Sequence, residues 1–341
     1  MIVDKLTEQV IPVLPPIIRG LISNLPSDIK KAIVEIRLRT SKPVMVVIPS
    51  CDRTITPYGT ISDRPSDGYI FSKEDAMKTL QLMSEGSIYA IEEELRRGYL
   101  TLRGGHRVGL VGKVILDGGR VKTLKHISGF NIRITRELLG VGDKIVQHLI
   151  DSETGMVYHT LIASPPGCGK TTLIRDLSRH FSDGIKGSSF KGVKVGIVDE
   201  RSEIAGCFNG IPQNYIGFRT DVLDGCPKAE GIMMLIRSMS PQVIIVDEIG
   251  RDEDITAISE AINAGVKVVT TVHGATLEEL MERPNLNKLV GRGAFERIII
   301  LGSSLGLGTV ESLIDGKTMK PLISCAFPLK RIMEKETEEM G

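Results

Sequence analysis

The pattern of apolar positions changes once along this 341-residue chain, near residue 140. Before that point helical and alternating stretches are mixed. Ile11, Leu14, Ile18, Leu21 and Leu25 share one helical face, although Pro15 and Pro16 prevent a single long helix. Core packing is the simpler use of that face, with a membrane-surface contact as the alternative. "EIRLR" (35–39) alternates as a half-buried strand does, and "VMVVI" (44–48) follows Pro43 as a second strand. Residues 52–70, rich in Pro, Gly, Ser and Asp, read as a long surface loop. Ser72-Lys73-Glu74-Asp75 has the form of a capping box, opening a helix with Ala76, Leu80 and Met83 on one side. Ile88, Ile91 and Leu95 mark a second helix, stopped by Gly98. "YLTLR", "RVGLVGKVIL" and "RVKTL", separated by Gly-rich turns, predict a β-meander, and "NIRI" (131–134) predicts a further strand.

Gly140 to Gly142 reads as a linker between an α/β N-terminal domain (1–138) and a second domain (139–341). In the second domain the apolar runs 160–163, 193–198, 243–247, 266–271 and 296–301 alternate with helical segments. That alternation predicts a parallel sheet with helices on its faces. Residues 183–192 read as a flexible loop, a hairpin is expected around 315–317, and the charged last dozen residues are expected to fray.

Chemistry concentrates at the ends of those strands. Ser164-Pro165-Pro166-Gly167-Cys168-Gly169-Lys170-Thr171-Thr172 lies between an apolar strand and the helical stretch "TTLIRDLSRH", where a phosphate-binding loop works. The two glycines allow a tight backbone cradle, Lys170 reaches the β- and γ-phosphates, and the Thr171 hydroxyl suits Mg²⁺. Ser164 stands where the usual pattern has Gly, and Pro165 and Pro166 stiffen the same segment. The run "VIIVDE" brings Asp247 and Glu248 to the carboxyl edge of the sheet, beside the phosphate loop on a neighbouring strand. Asp247 there can hold Mg²⁺ through water, and Glu248 can orient or deprotonate the attacking water. Two further strands end in Asp199-Glu200 and in His273, candidates to sense the γ-phosphate or the lytic water. The alternatives are a solvated strand end capped by Arg201, and a structural histidine bonded to backbone. Cys168 fits the tight turn as a small residue.

Composition narrows the field. A net charge of +1 and 4% aromatics give no general basis for binding nucleic acid, so none is expected as a partner. Five scattered cysteines without Cys-x-x-Cys spacing read as reduced thiols rather than a disulfide framework or zinc site. No apolar run approaches the ~18 residues of a spanning helix. Asp4, Lys5, Glu8 and the early prolines do not resemble a signal peptide, so a cytoplasmic protein is expected.

The phosphate loop, the acidic box "IVDERSE", the strand "VIIVDEIGRDED" and the histidine box "AGVKVVTTVHG" together resemble the secretion ATPase superfamily. Longer strings, among them "YAIEEELRRGYLTLRGGHRVGLVGKV", "SPPGCGKTTLIRDLSR" and "GFRTDVLDGCPKAEGIMMLIRSMSPQ", are similar to its sporulation branch, the stage III sporulation protein AA family of endospore-forming bacteria. The resemblance covers almost the whole chain. It implies an α/β fold: a RecA-like P-loop NTPase domain behind a smaller α/β N-terminal domain. It also implies Mg²⁺-dependent ATP hydrolysis in a homo-oligomeric, hexameric ring. The work would serve a channel complex between mother cell and forespore, with the ring recruited to the membrane by that complex's membrane proteins. Glu200 would then activate water, with Glu248 the alternative. An arginine would complete the site, from Arg133, Arg136, Arg103, Arg107 or Arg219. Two competing functions remain at this level: a nucleic-acid translocase, for which Lys186, Lys191 and Lys194 are the suspect segment, and a nucleotide-binding scaffold with little turnover.

Overall fold

Alternation in Glu35–Arg39 (β1) becomes a buried face and a wet face: Ile36 and Leu38 are fully buried, and the residues between them are half-exposed. The computed structural model describes residues 6–49, 51–323 and 325–329. Asp4, Lys5 and the charged last dozen residues lie outside it. The chain divides into two units. One is Met1–Arg136 with Gly206–Gln213, and the other is Glu137–Ala205 with Asn214–Gly341.

Among the described residues the first unit carries an antiparallel sheet in the order β4-β3-β2-β1-β7-β6-β5. Its strands are β1, Met45–Ile48 (β2), Cys51–Ile55 (β3), Ile61–Ser62 (β4), Tyr99–Leu102 (β5), His106–Asp117 (β6) and Arg120–Arg133 (β7). β1 and β7 form its centre, with Ile36 opposite Ile132 and Leu38 opposite Phe130. Phe130 meets Phe71 edge to face at 6.4 Å. Ile11, Leu14, Ile18, Leu21 and Leu25 all join this core, so the N-terminal apolar face packs inward. Helix Lys73–Met83 opens with the expected capping box, Ser72 Oγ accepting from Asp75 N–H and Asp75 Oδ2 from Ser72 N–H.

Three sequence expectations for this unit are corrected. Residues 52–70 are not one long loop, because Cys51–Ile55 pairs with β2 and buries Thr54 and Ile55. The polar composition of that stretch hid two inward-facing residues. "NIRI" is no separate strand but the end of the long β7, which a bulge opposite Gly112 allows to bend. Ile88–Ile91 is a 3₁₀ turn preceding the short helix Glu92–Arg97, which Gly98 ends in the left-handed conformation (φ 78°).

The second unit carries a mixed sheet in the order β10-β9-β11-β12-β8-β13-β14-β15, with β16 paired to β14. Thr160–Ser164 (β8), Val195–Asp199 (β9), Thr220–Asp224 (β10), Val243–Val246 (β11), Lys267–His273 (β12) and Arg297–Gly302 (β13) run parallel. Thr309–Asp315 (β14), Lys320–Ile323 (β15) and Phe327–Pro328 (β16) add antiparallel pairs beyond β13. β8, β9 and β11 are buried along their whole length, as near-continuous Val/Ile/Leu runs require. The edge strand β10, "TDVLD", has no such run, and the sequence reading missed it. Gly140–Gly142 is not a loose linker: Gly140 N–H and Gly142 N–H donate to the Asp176 carboxylate at 3.2 and 2.7 Å. Loop 183–192 is pinned by buried Phe190 and by Ile185 N–H donating to the Phe190 carbonyl.

Phe130→Ala should therefore lower the unfolding free energy by about 3–5 kcal/mol, the usual cost of emptying a buried aromatic position. Urea unfolding monitored by circular dichroism checks this.

Candidate nucleotide site

The strand β8 ends at buried Ser164, and helix Lys170–Asp183 begins six residues later. Between them Gly167 and Gly169 adopt φ of 77° and 86°, a region that residues with a Cβ rarely enter. A Cβ on Gly167 would meet nothing within 4 Å, so there is open space beside this exposed glycine. The first N–H groups of the helix have no intrahelical acceptors and carry the positive end of its dipole. Buried Lys170 sends its ammonium to the Ser164 carbonyl and Oγ (both 3.0 Å), the Pro165 carbonyl (3.1 Å) and His273 Nδ1 (3.2 Å). Burial holds the Lys170 ammonium below its ordinary pKa, while the charges of Glu248 and Asp247 act against that shift. Buried Cys168 sits within the turn, Thr171 and Thr172 are half-buried, and Pro166 and Gly167 are exposed.

Register brings the other groups to this loop. His273, the last residue of β12, lies opposite Ser164, and Thr270 of β12 lies opposite Val246 of β11. β12 thus separates β8 from β11, which corrects the expectation that Asp247 and Glu248 follow a strand adjacent to the phosphate-loop strand. The acids reach across β12's end instead. Asp247 Oδ1 accepts from Thr271 Oγ1 at 2.7 Å and from Glu248 N–H at 2.9 Å. Glu248 Oε1 lies 3.0 Å from His273 Nε2, and Oε2 lies 3.5 Å from Arg201 Nη1. With Lys170 donating to Nδ1, the ring proton belongs on Nε2, pointing at Glu248. Lys170, His273 and Glu248 are therefore joined in one hydrogen-bonded chain. His273 is not simply bonded to backbone. Glu248 holds φ of 26°, a strained backbone for a residue with a Cβ.

Asp199 contradicts its bland alternative. It is fully buried rather than a solvated strand end, and accepts from the N–H groups of Glu203 (2.8 Å), Ile204 (3.0 Å) and Ala205 (2.8 Å). Burial pushes its carboxyl up to about 6 in spite of these donors. Arg175, also buried, closes the same turn by donating to the carbonyls of Ile204 (2.6 Å) and Glu203 (2.5 Å). Asp199 thus shapes the turn that carries Glu200, whose carboxylate pairs with the Lys228 ammonium. Arg201 does not cap the strand end, because it turns to Glu248. Arg175 and Lys228 were missed by sequence reasoning. The available signal for Lys228 was a cation at the first position of a helix, where an acid is favoured.

Among the arginines proposed to complete the site, Arg133 and Arg136 belong to the first unit. Arg133 Nε lies 3.9 Å from Glu35, and Arg136 donates to the carbonyls of Lys31 and Ile33. In the same unit Arg107 stacks on the Tyr99 ring. Arg219, in the second unit, donates to the Ser182 carbonyl at 2.6 Å and lies over the Phe218 ring.

The model of the family described as "Sporulation stage III, protein AA" matches residues 4–320. The chain belongs to that family. It is 46% identical over 307 residues to Stage III sporulation protein AA of Bacillus subtilis (strain 168), covering 90% of this chain and 94% of the relative. Among solved structures it is similar to the pilus retraction motor PilT with bound ADP, at a TM-score of 0.52 and 16% identity over 80% of this chain and 76% of that one. It is similar also to the ATPase DotB of Legionella pneumophila, at a TM-score of 0.50 and 17% identity over 79% of this chain and 72% of that one. At such identities the likeness is one of fold: a RecA-like P-loop domain with a smaller α/β N-terminal domain. No helix among the described residues is long and apolar enough to cross a membrane.

The raised carboxyl of Asp199 sets a pH dependence. Its ordinary value is 3.8 and its folded value about 6, so the folded chain holds this proton more tightly. The resulting stabilisation is full below about pH 3.8 and is lost as pH rises towards about 6. Measured by urea midpoints, the stability of wild type minus that of Asp199→Asn should fall from pH 4 to pH 6 and stay level above pH 7.

Proposed function

We propose that this protein is a Mg²⁺-dependent ATP hydrolase that works in a homo-oligomeric, hexameric ring. In it, domain 139–341 would be the ATPase and domain 1–138 the part moved by hydrolysis. The observation that carries this reading is the hydrogen-bonded chain from Lys170 through His273 to Glu248, with Asp247 beside it. It joins a phosphate-loop cation to the acids of another strand at one edge of the sheet.

The roles follow from the chemistry of each group. The backbone of Ser164 to Thr172 would cradle the phosphates of ATP. Lys170 would exchange its carbonyl partners for the β- and γ-phosphates, since an ammonium with several weak acceptors gains by meeting full anionic charge. Mg²⁺, held by Thr171 and Asp247, would neutralise charge on the phosphate oxygens. His273 would register the change at Lys170 and pass it to Glu248. Glu200 would orient and deprotonate the attacking water, with Glu248 as the alternative base. Arg133 or Arg136 would supply the cation that stabilises charge on the transferring phosphoryl group. Family membership supports a role in sporulation, as the cytoplasmic motor of the channel complex between mother cell and forespore, docked through that complex's membrane proteins.

Phosphate release from ATP, followed over a range of protein concentrations, tests the proposal. Turnover per subunit should rise with concentration, as composite ring sites require, and disappear in Lys170→Ala. Glu200→Gln should slow turnover by about 100-fold or more if it is the base, and Glu248→Gln should then cost less. A wild type that matches Lys170→Ala at every concentration would sink the hydrolase reading and favour a nucleotide-binding scaffold.

A further inference from the structure

Lys228 has no place in the nucleotide-site motifs, yet it is only 9% exposed. It occupies the first position of helix Lys228–Ser238, where the helix dipole is positive and a cation is unfavourable. Both burial and the dipole act against an ammonium there. What offsets them is the carboxylate of Glu200, the ion-pair partner of Lys228 among the described residues. An apolar residue of similar length would fill the position without either cost, so the charge itself has a use.

The surroundings show what that use is. The backbone before Glu200 is fixed, because Asp199 is locked by the N–H groups of residues 203–205. The residue after it, Arg201, is directed at Glu248. Glu248 in turn is engaged by His273 and Arg201. Glu200 has Lys228 to set the direction of its side chain. Asp224, at the end of β10, accepts from Ser202 Oγ, and Glu230 is exposed in the same first turn of the helix as Lys228. The Cys226 thiol is held up by burial and then by the charges of Glu230 and Glu200.

We propose that Lys228 is a positioning residue of the hydrolytic centre, orienting the Glu200 carboxylate to accept a proton from water. This inference rests on the ATP-hydrolase reading and on Glu200 as the base within it. Removing the cation leaves Glu200 unaimed, which slows the chemical step without touching the phosphate loop.

The test compares Lys228→Met and Lys228→Arg in the full-length protein, with binding of a fluorescent ATP analogue and phosphate release both measured. Lys228→Met should lower kcat about tenfold or more with KM and analogue affinity within about twofold. Lys228→Arg, which restores charge with a different shape, should recover part of kcat. In the Glu200→Gln background, Lys228→Met should add no further loss, since both act through one group. If Lys228→Met does not fold, Lys228→Gln carries the same comparison. Wild-type turnover that survives in the neutral variants overturns this inference and leaves the hydrolase standing. Turnover that survives Glu200→Gln also overturns this inference alone. Absence of turnover in wild type, with the analogue bound or not, overturns both.

Discussion

The parallel pairing of β12 with β8 on one side and β11 on the other is the constraint on which the site depends. That register sets His273 beside Ser164 and lets Thr271 reach Asp247. A slip of one residue would turn His273 to the other face of the sheet. The ammonium of Lys170 would lose its imidazole partner, and with it the link to the acids after β11. The register is held by burial: Val268, Val269, Val272, Ile244, Ile245 and Leu161 lie in the middle of the sheet with almost no exposure.

Around that sheet the fold uses buried charge to shape turns. Asp199 and Arg175 brace the turn after β9, and Asp176 draws two backbone N–H groups of residues 140–142 onto the phosphate-loop helix. Burial opposes the ionised form of Asp176, but hydrogen bonds from His180, Arg179 and Gly142 N–H outweigh it and hold the carboxyl well below its ordinary value. An isolated carboxylate at such depth would be costly; converging donors outweigh that cost at Asp176 and offset only part of it at Asp199. The same carboxylates tie loop segments to helices, so the turn that carries Glu200 and the start of the second unit are held by directional contacts rather than by apolar packing alone.

Much of the fold was legible because it follows local rules. The strand alternation at 35–39, the capping box at Ser72 and the buried runs before the acids are written in residues a few positions apart. Residues 51–55 and the edge strand β10 were not legible, because neither has an apolar period of its own. Each is a strand only because a neighbour offers a free edge. The end of β7 was read as a separate strand because the bulge opposite Gly112 interrupts its alternation.

The sequence by itself determined the glycine-rich segment Ser164 to Thr172, the strand-ending acids and His273, since each is a short run of adjacent residues. It also determined, through strings that run nearly the whole chain, the family to which the chain belongs. Only the tertiary structure decided which groups meet. It interposed β12 between β8 and β11, buried Asp199 as a brace, sent Arg201 to Glu248 and brought Lys228 to Glu200 from 28 positions along the chain. Such pairings depend on strand order and helix placement, which the summed burial of two sheets sets and no local spacing encodes.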